Sequence, residues 1–142
     1  MTALSREIRA AVVDRAGCSC EYCLLPTSGQ VASFHLDHVV PRIAGGSSDL
    51  ANLALACPHC NAHKWAQTEG KDPVTGQLTP LFNPRVQIWA EHFEWLQAPS
   101  GQILGKTPAG RATIVALKMN ADDMLAVRAL LAELGRFPPS AR

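Results

Sequence analysis

The sequence predicts a mixed α+β fold. Capped segments with helical apolar spacing lie near both ends of the chain, at 5–16 and 121–134. Between them sit a strand-like alternation at 34–40 and a short apolar run at 53–56. Two Cys-x-x-Cys pairs, Cys20–Cys23 and Cys57–Cys60, bracket those strands.

The elements follow in order. Ser5 is placed to cap the first helix, whose apolar positions Ile8, Ala11 and Val12 recur at helical spacing, with Gly17 as its stop. Residues 18–33 form a cysteine-bearing loop punctuated by Pro26 and Gly29. A strand over 34–40 and a second over 53–56 are expected to pair antiparallel across the loop 41–52. Pro58 suits the first turn of a helix running to about Gln67. Gly70, Pro73, Gly76, Pro80 and Pro84 make 68–84 a long loop or linker. Trp89, Phe93 and Trp95 read as core, and with a Pro99-Ser100-Gly101 turn and a strand at Gln102–Leu104 they suggest an aromatic-rich hairpin. His92 reads as a core histidine among these rings. Asn120 is expected to cap the last helix, whose stripe is Met124, Val127, Leu130, Leu131 and Leu134, and Gly135 with Pro138–Pro139 stops it. The chain thus divides into a core over 1–67 and an α/β extension over 68–142 packed on it.

The 142 residues are 47% apolar and 18% charged, with 13 Lys and Arg against 12 Asp and Glu. Residues 1–64 carry five charges of each sign, and 65–142 carry eight positive and seven negative. A broad basic surface for non-specific nucleic-acid binding is excluded, so any contact with DNA is local. No apolar run is long enough for a membrane span, and the start, MTALSREIRAAVVDR, is too charged for a secretory leader. A cytoplasmic protein is expected. There, close cysteine pairs point to metal rather than to disulfides, and five cysteines cannot all pair within one chain.

Each Cys-x-x-Cys forms a tight knuckle that turns two sulfurs to one side. Together Cys20, Cys23, Cys57 and Cys60 offer tetrahedral Zn²⁺ four thiolates at about 2.3 Å, set against the alternative of buried free thiols. Four protein ligands leave no open position, so such a zinc is structural and pins the 18–33 loop to the helix start at 58. Cys18 is spare, and His59, between two ligands, is expected to point outward.

Asp37, His38 and Asn61 lie between or just after the pairs. In a regular strand Asp37 and His38 face opposite sides, so reaching one site calls for a bend or bulge. A carboxylate, an amide oxygen and an imidazole beside a phosphate is the set that metal-assisted phosphodiester cleavage requires. The hard oxygens suit Mg²⁺ or Mn²⁺, and the imidazole suits a general base near neutral pH. His35 shares the face of Asp37, Lys64 shares that of Asn61, and Arg42 lies in the loop. Each is a possible phosphate contact, weighed against a plain solvated side chain. In the extension Arg85, Lys106, Arg111 and Lys118 are further candidates, while Gly45–Gly46 serve the loop's conformation.

The order D-H-V-V-P, then G-G, then D-L-A-N-L, then C-P-H-C-N-A-H-K resembles the HNH endonuclease family, of the small bacterial zinc-containing type, over roughly residues 6–65. The resemblance implies a ββα-metal, or His-Me, finger stapled by a four-cysteine zinc site. It implies that His38 is the general base, that Asp37 and Asn61 hold one divalent cation, and that Asn52 holds the loop and so orients the histidine. It also implies that Cys20, Cys23, Cys57 and Cys60 are the zinc set. Many members carry His at the position of Asn61, a departure that bears on metal affinity. The function expected is one-metal hydrolysis of DNA, double-stranded by preference. The competitors are a zinc-stapled nucleic-acid-binding module without turnover and a partner-binding zinc domain that uses its last helix.

Overall fold

The structure is a computed structural model and describes residues 4–29, 31–96 and 101–139. Ser5 opens α1 (Arg6–Arg15), its hydroxyl accepting from the Ile8 amide at 3.1 Å. Val12 and Ala16 are buried and Ile8 is half-buried, whereas Ala11 is exposed. The buried stripe runs at i, i+4, i+8 and leaves position 11 facing water. Two arginines of α1 hold carbonyls flanking the strands: Arg9 donates to Phe34 at 2.7 Å, and Arg15 to Leu50 and Leu53 at 2.9 and 2.6 Å.

The central unit is β1 (His35–His38), β2 (Leu53–Ala56) and α2 (Pro58–Lys64). The strands pair antiparallel, His35 opposite Ala56 through His38 opposite Leu53. Every residue of β2 is buried, which is why its run is continuously apolar rather than alternating. Cys57 caps α2 by accepting the Cys60 amide on its sulfur, and Pro58 fills the first turn. The helix stops at Lys64, short of Gln67, because Trp65 turns to φ 47°, ψ −119°.

The expected loop at 68–84 is instead a hairpin of β3 (Glu69–Lys71) and β4 (Leu78–Pro80). Its turn is tied by Asp72, which accepts from the Val74 amide and the Thr75 hydroxyl and is gripped by Arg111 at 2.9 Å on both oxygens. Arg111 holds the Asp72 carboxyl well below its ordinary range. Next come α3 (Trp89–His92) and an antiparallel pair, β5 (Phe93–Trp95) with β6 (Ile103–Gly105). Of the expected turn between them, Pro99 and Ser100 lie outside the described residues. An unexpected helix, α4 (Pro108–Ala116), starts at Thr107, whose hydroxyl accepts the Gly110 amide at 3.1 Å. The last helix is α5 (Asp122–Glu133). Asn120 does not cap it: the Asn120 amide pairs with both backbone groups of Ile103 at 2.9 and 2.8 Å. Met124 and Leu131 of its stripe are buried, Leu130 and Leu134 are exposed, and Arg128 joins the buried face.

One continuous core runs from Val12 to Phe137 and so joins the extension to the ββα unit. Within it Phe82, Trp89, Phe93, Trp95 and Phe137 stack in a chain with centroids 4.7–5.1 Å apart. His92 is satisfied there by Thr107 at 2.7 Å. Among the described residues no helix is long and apolar enough to cross a membrane.

Candidate active site and metal centre

The sulfurs of Cys20, Cys23, Cys57 and Cys60 all lie within 4.8 Å of one another, and all four residues are buried. Each pair closes a knuckle in which the second cysteine's amide donates to the first one's sulfur at 3.4 Å. Four soft donors converging in a dry site fit Zn²⁺. Hydrogen bonds from Cys20, Cys57 and Cys60 hold Cys23 well below the ordinary thiol value, and burial first of all holds Cys20 above it. Metal binding at such a cluster releases protons. Cys18 is exposed and apart from it. His59, half-buried, turns away from the cluster: its Nε2 meets the Lys118 carbonyl at 2.8 Å, and its ring lies 4.2 Å from that of His63.

The residues inside the first knuckle carry roles that the sequence did not reveal. Glu21 is buried, accepts the Leu55 amide at 2.8 Å and ion-pairs with Arg85. Arg85, expected on phosphate, is thereby committed to the fold, as is Arg111 on Asp72. Tyr22 is fully buried, and its hydroxyl donates to Asp37 Oδ2 at 2.6 Å. Trp89 of the extension donates to the Tyr22 carbonyl at 2.8 Å.

β1 pairs regularly through His38, with no bulge, and the chain bends directly after it at Val39 and Val40; within the strand Asp37 and His38 take opposite faces. Asp37, 5% exposed, lies inward. Besides Tyr22 it meets the Lys64 ammonium at 3.1 Å. Lys64 is 2% exposed and also donates to the His38 and Val39 carbonyls at 3.3 and 3.1 Å. The expectation that Lys64 reaches for phosphate is therefore corrected: its carboxylate and carbonyl partners draw it into the interior. His38 is half-buried and its Nε2 meets the Ser48 hydroxyl at 3.0 Å. Burial, then the nearby Arg42 charge, lowers its pKa, with Asp37 opposing. Arg42 and His35 are exposed.

Asn52 ties the loop across its base, accepting the Val40 amide at 2.9 Å and donating to the Val40 and Ser47 carbonyls at 3.0 and 2.7 Å. Gly46 permits this closure: any Cβ there would collide with the Val40 carbonyl. Asn61, half-buried on α2, makes no side-chain hydrogen bond among the described residues. No hydrogen bond joins the side chains of Asp37, His38 and Asn61 to one another among the described residues. Tyr22 and Ser48 gave no sequence signal, because their partners are 15 and 10 residues away and follow no local pattern.

Residues 20–67 match the family model for HNH endonuclease, a span that takes in both knuckles, both strands, the loop and α2. No curated protein and no solved structure matches the chain.

Proposed function

We propose, from the HNH endonuclease domain at residues 20–67 as the premise, that the protein is a metal-dependent endonuclease that hydrolyses DNA phosphodiester bonds with His38 as general base. The supporting observation is the environment of His38. Burial and Arg42 depress its pKa, which favours a neutral imidazole at pH 7, and Ser48 fixes its ring. A neutral imidazole accepts the proton of a water whose oxygen attacks phosphorus in line. The P–O3′ bond then breaks, and the departing 3′ oxygen takes a proton from solvent. Asp37 and Asn61 fit a divalent cation by donor type, one carboxylate and one amide oxygen. Asp37 keeps lone pairs beyond those given to Tyr22 and Lys64. Mg²⁺ or Mn²⁺ held there supplies positive charge to the phosphate and the leaving oxygen. Tyr22 and Lys64 orient Asp37, Asn52 holds the loop under His38, and exposed Arg42 and His35 contact phosphate. Double-stranded DNA is the substrate class, and the reducing cytoplasm, which keeps the four thiols available to zinc, is where we assign its action.

One observation favours a second reading. The Lys64 ammonium, 3.1 Å from Asp37, already neutralises the charge a hard cation seeks, as suits a zinc-stapled module that binds nucleic acid without turnover. Relaxation of supercoiled plasmid, with binding to a labelled duplex measured in parallel, separates the two. Zinc-loaded protein is assayed with Mg²⁺, with Mn²⁺ and with neither. Nicking that requires the added ion is expected. Binding without nicking in every condition establishes the module instead, and loss of both removes both readings.

A further inference from the structure

Between the finger and the extension lies a cavity of about 320 Å³, within the range of small-molecule sites. The finger contributes Val39, Val40, Lys64 and Gln67 to its walls, and the extension contributes residues 80–83 with Val86 and Gln87. Among the described residues that line it Lys64 alone is charged, and its ammonium is paired with Asp37 at 3.1 Å. The cavity therefore suits a neutral ligand. It borders the candidate site, because Lys64 belongs to both and Val39 follows His38 in the chain.

Apart from Lys64 and the Thr68 hydroxyl, the polar side chains of the lining are three amides, and each is half used. Asn83 accepts the Arg85 amide on Oδ1 at 2.9 Å, and Gln87 accepts the Asn83 amide on Oε1 at 2.8 Å. Gln67 donates from Nε2 to the His63 carbonyl at 2.8 Å. These backbone partners fix which end of each amide is nitrogen. The other ends, Asn83 Nδ2, Gln87 Nε2 and Gln67 Oε1, make no hydrogen bond among the described residues. Two donors and an acceptor among apolar walls match a flat, uncharged group that carries acceptors and donors on one edge, which is the chemistry of a nucleobase. Trp65, between Lys64 and Gln67 in the chain, adds an exposed indole at a strained φ of 47°, and an indole is a stacking face for bases.

We infer that this cavity is a nucleobase site beside the candidate active site, and that it receives a base lifted out of the bound DNA strand. The inference rests on the nuclease reading for the source of the base, and on the lining alone for its chemistry. The base exchanges its stacking in the duplex for contact with Val39, Val40 and Val86 and for hydrogen bonds to the free amide ends. Lifting a base costs least where the duplex is already weakened, so mismatched or single-stranded positions are preferred.

Two variants test the cavity away from Asp37, His38 and Asn61. Asn83→Asp keeps the oxygen that accepts the Arg85 amide and loses the free donor. Val86→Trp, at an exposed position, fills part of the cavity, and it carries the test if Asn83→Asp does not fold. Amide spectra of zinc-loaded protein are titrated with each of the four 2′-deoxynucleosides, with inorganic phosphate as the control. At least one nucleoside is expected to shift the amides of residues 64–68 and 80–87 saturably, and phosphate to leave them in place. Each variant is expected to bind that nucleoside about 10-fold more weakly. No saturable shift in wild type, shifts confined to other residues, or binding by Val86→Trp equal to wild type overturns the site. Duplexes carrying 2-aminopurine at successive positions, bound without divalent ion, distinguish a base of the strand from a free nucleoside. Emission is expected to rise at one position with wild type and not with Val86→Trp. Nucleoside binding without that rise overturns the extrusion. The plasmid assay judges the nuclease reading separately: nicking without nucleoside binding removes the cavity's role alone, and nucleoside binding without nicking removes the nuclease reading alone.

Discussion

Residues 20–67 and residues 68–139 bury their polar groups to different ends. In the first region Glu21, Asp37 and Lys64 are buried beside the candidate site, along with the four thiols. In the second, Asp72–Arg111 ties a hairpin, buried Thr113 and Arg128 hold backbone groups, and the rest of the interior is aromatic rings and aliphatic side chains. The first region is built from strands of four residues and a helix of seven, elements too short to persist alone in water. The second holds helices of nine and twelve residues. The first is braced from the second: Trp89 holds Tyr22, Arg85 holds Glu21, and Lys118 meets His59. Sulfurs and a borrowed core thus supply the rigidity that the short elements lack, which leaves their polar side chains available for chemistry.

Cys57→Ala strikes this arrangement hardest, because it removes a candidate metal donor and the α2 cap together. Bound zinc and the ordered finger are expected to be lost, read by metal content and amide spectra; a variant that keeps both contradicts the stapling. Next is Lys64→Met, which strips the partner from buried Asp37. A loss of about 3 kcal/mol in denaturant unfolding is expected, and an unchanged midpoint would show that the pair contributes nothing. A third change probes the loop. If His38 works as a neutral base, the rate falls as pH drops through its pKa, which lies below the ordinary value of about 6.5. Arg42→Ala removes a cation that lowers that pKa, so the acid limb is expected to move to higher pH, and a shift to lower pH contradicts the assignment. The mildest change is at Trp65, held at φ 47°, ψ −119° with its indole 79% exposed. Trp65→Gly is expected to stabilise the protein by about 1 kcal/mol in a thermal melt.

What the sequence revealed was local. Ser5 capping Ile8, the apolar run 53–56 and both cysteine knuckles are written within a few residues of one another. What it hid depends on distant partners. The strands at 69–71 and 78–80 are three residues long and lie among glycines and prolines, so no periodicity marks them. Helix α4 has a start signal in Thr107–Pro108, which the strand-and-turn reading of that stretch did not use, and Gly110 weakens its helical pattern. That glycine is needed because any Cβ there would strike the His92 carbonyl. Asn120 has the chemistry of a cap and spends it on Ile103, 17 residues away. Lys64 reads as a surface residue on a polar helix, and only the fold reveals the carboxylate and carbonyls that draw it inward.

If His38 performs the proton transfer while the rest of the finger holds it in place, the single-turnover nicking rate of His38→Ala against wild type is the decisive comparison. Both are zinc-loaded, in saturating Mn²⁺, with duplex affinity and melting temperature measured on the same samples. A fall of roughly 10²- to 10⁴-fold in rate is expected, with affinity and melting temperature little changed. Nicking by His38→Ala at the wild-type rate would refute the role of the histidine.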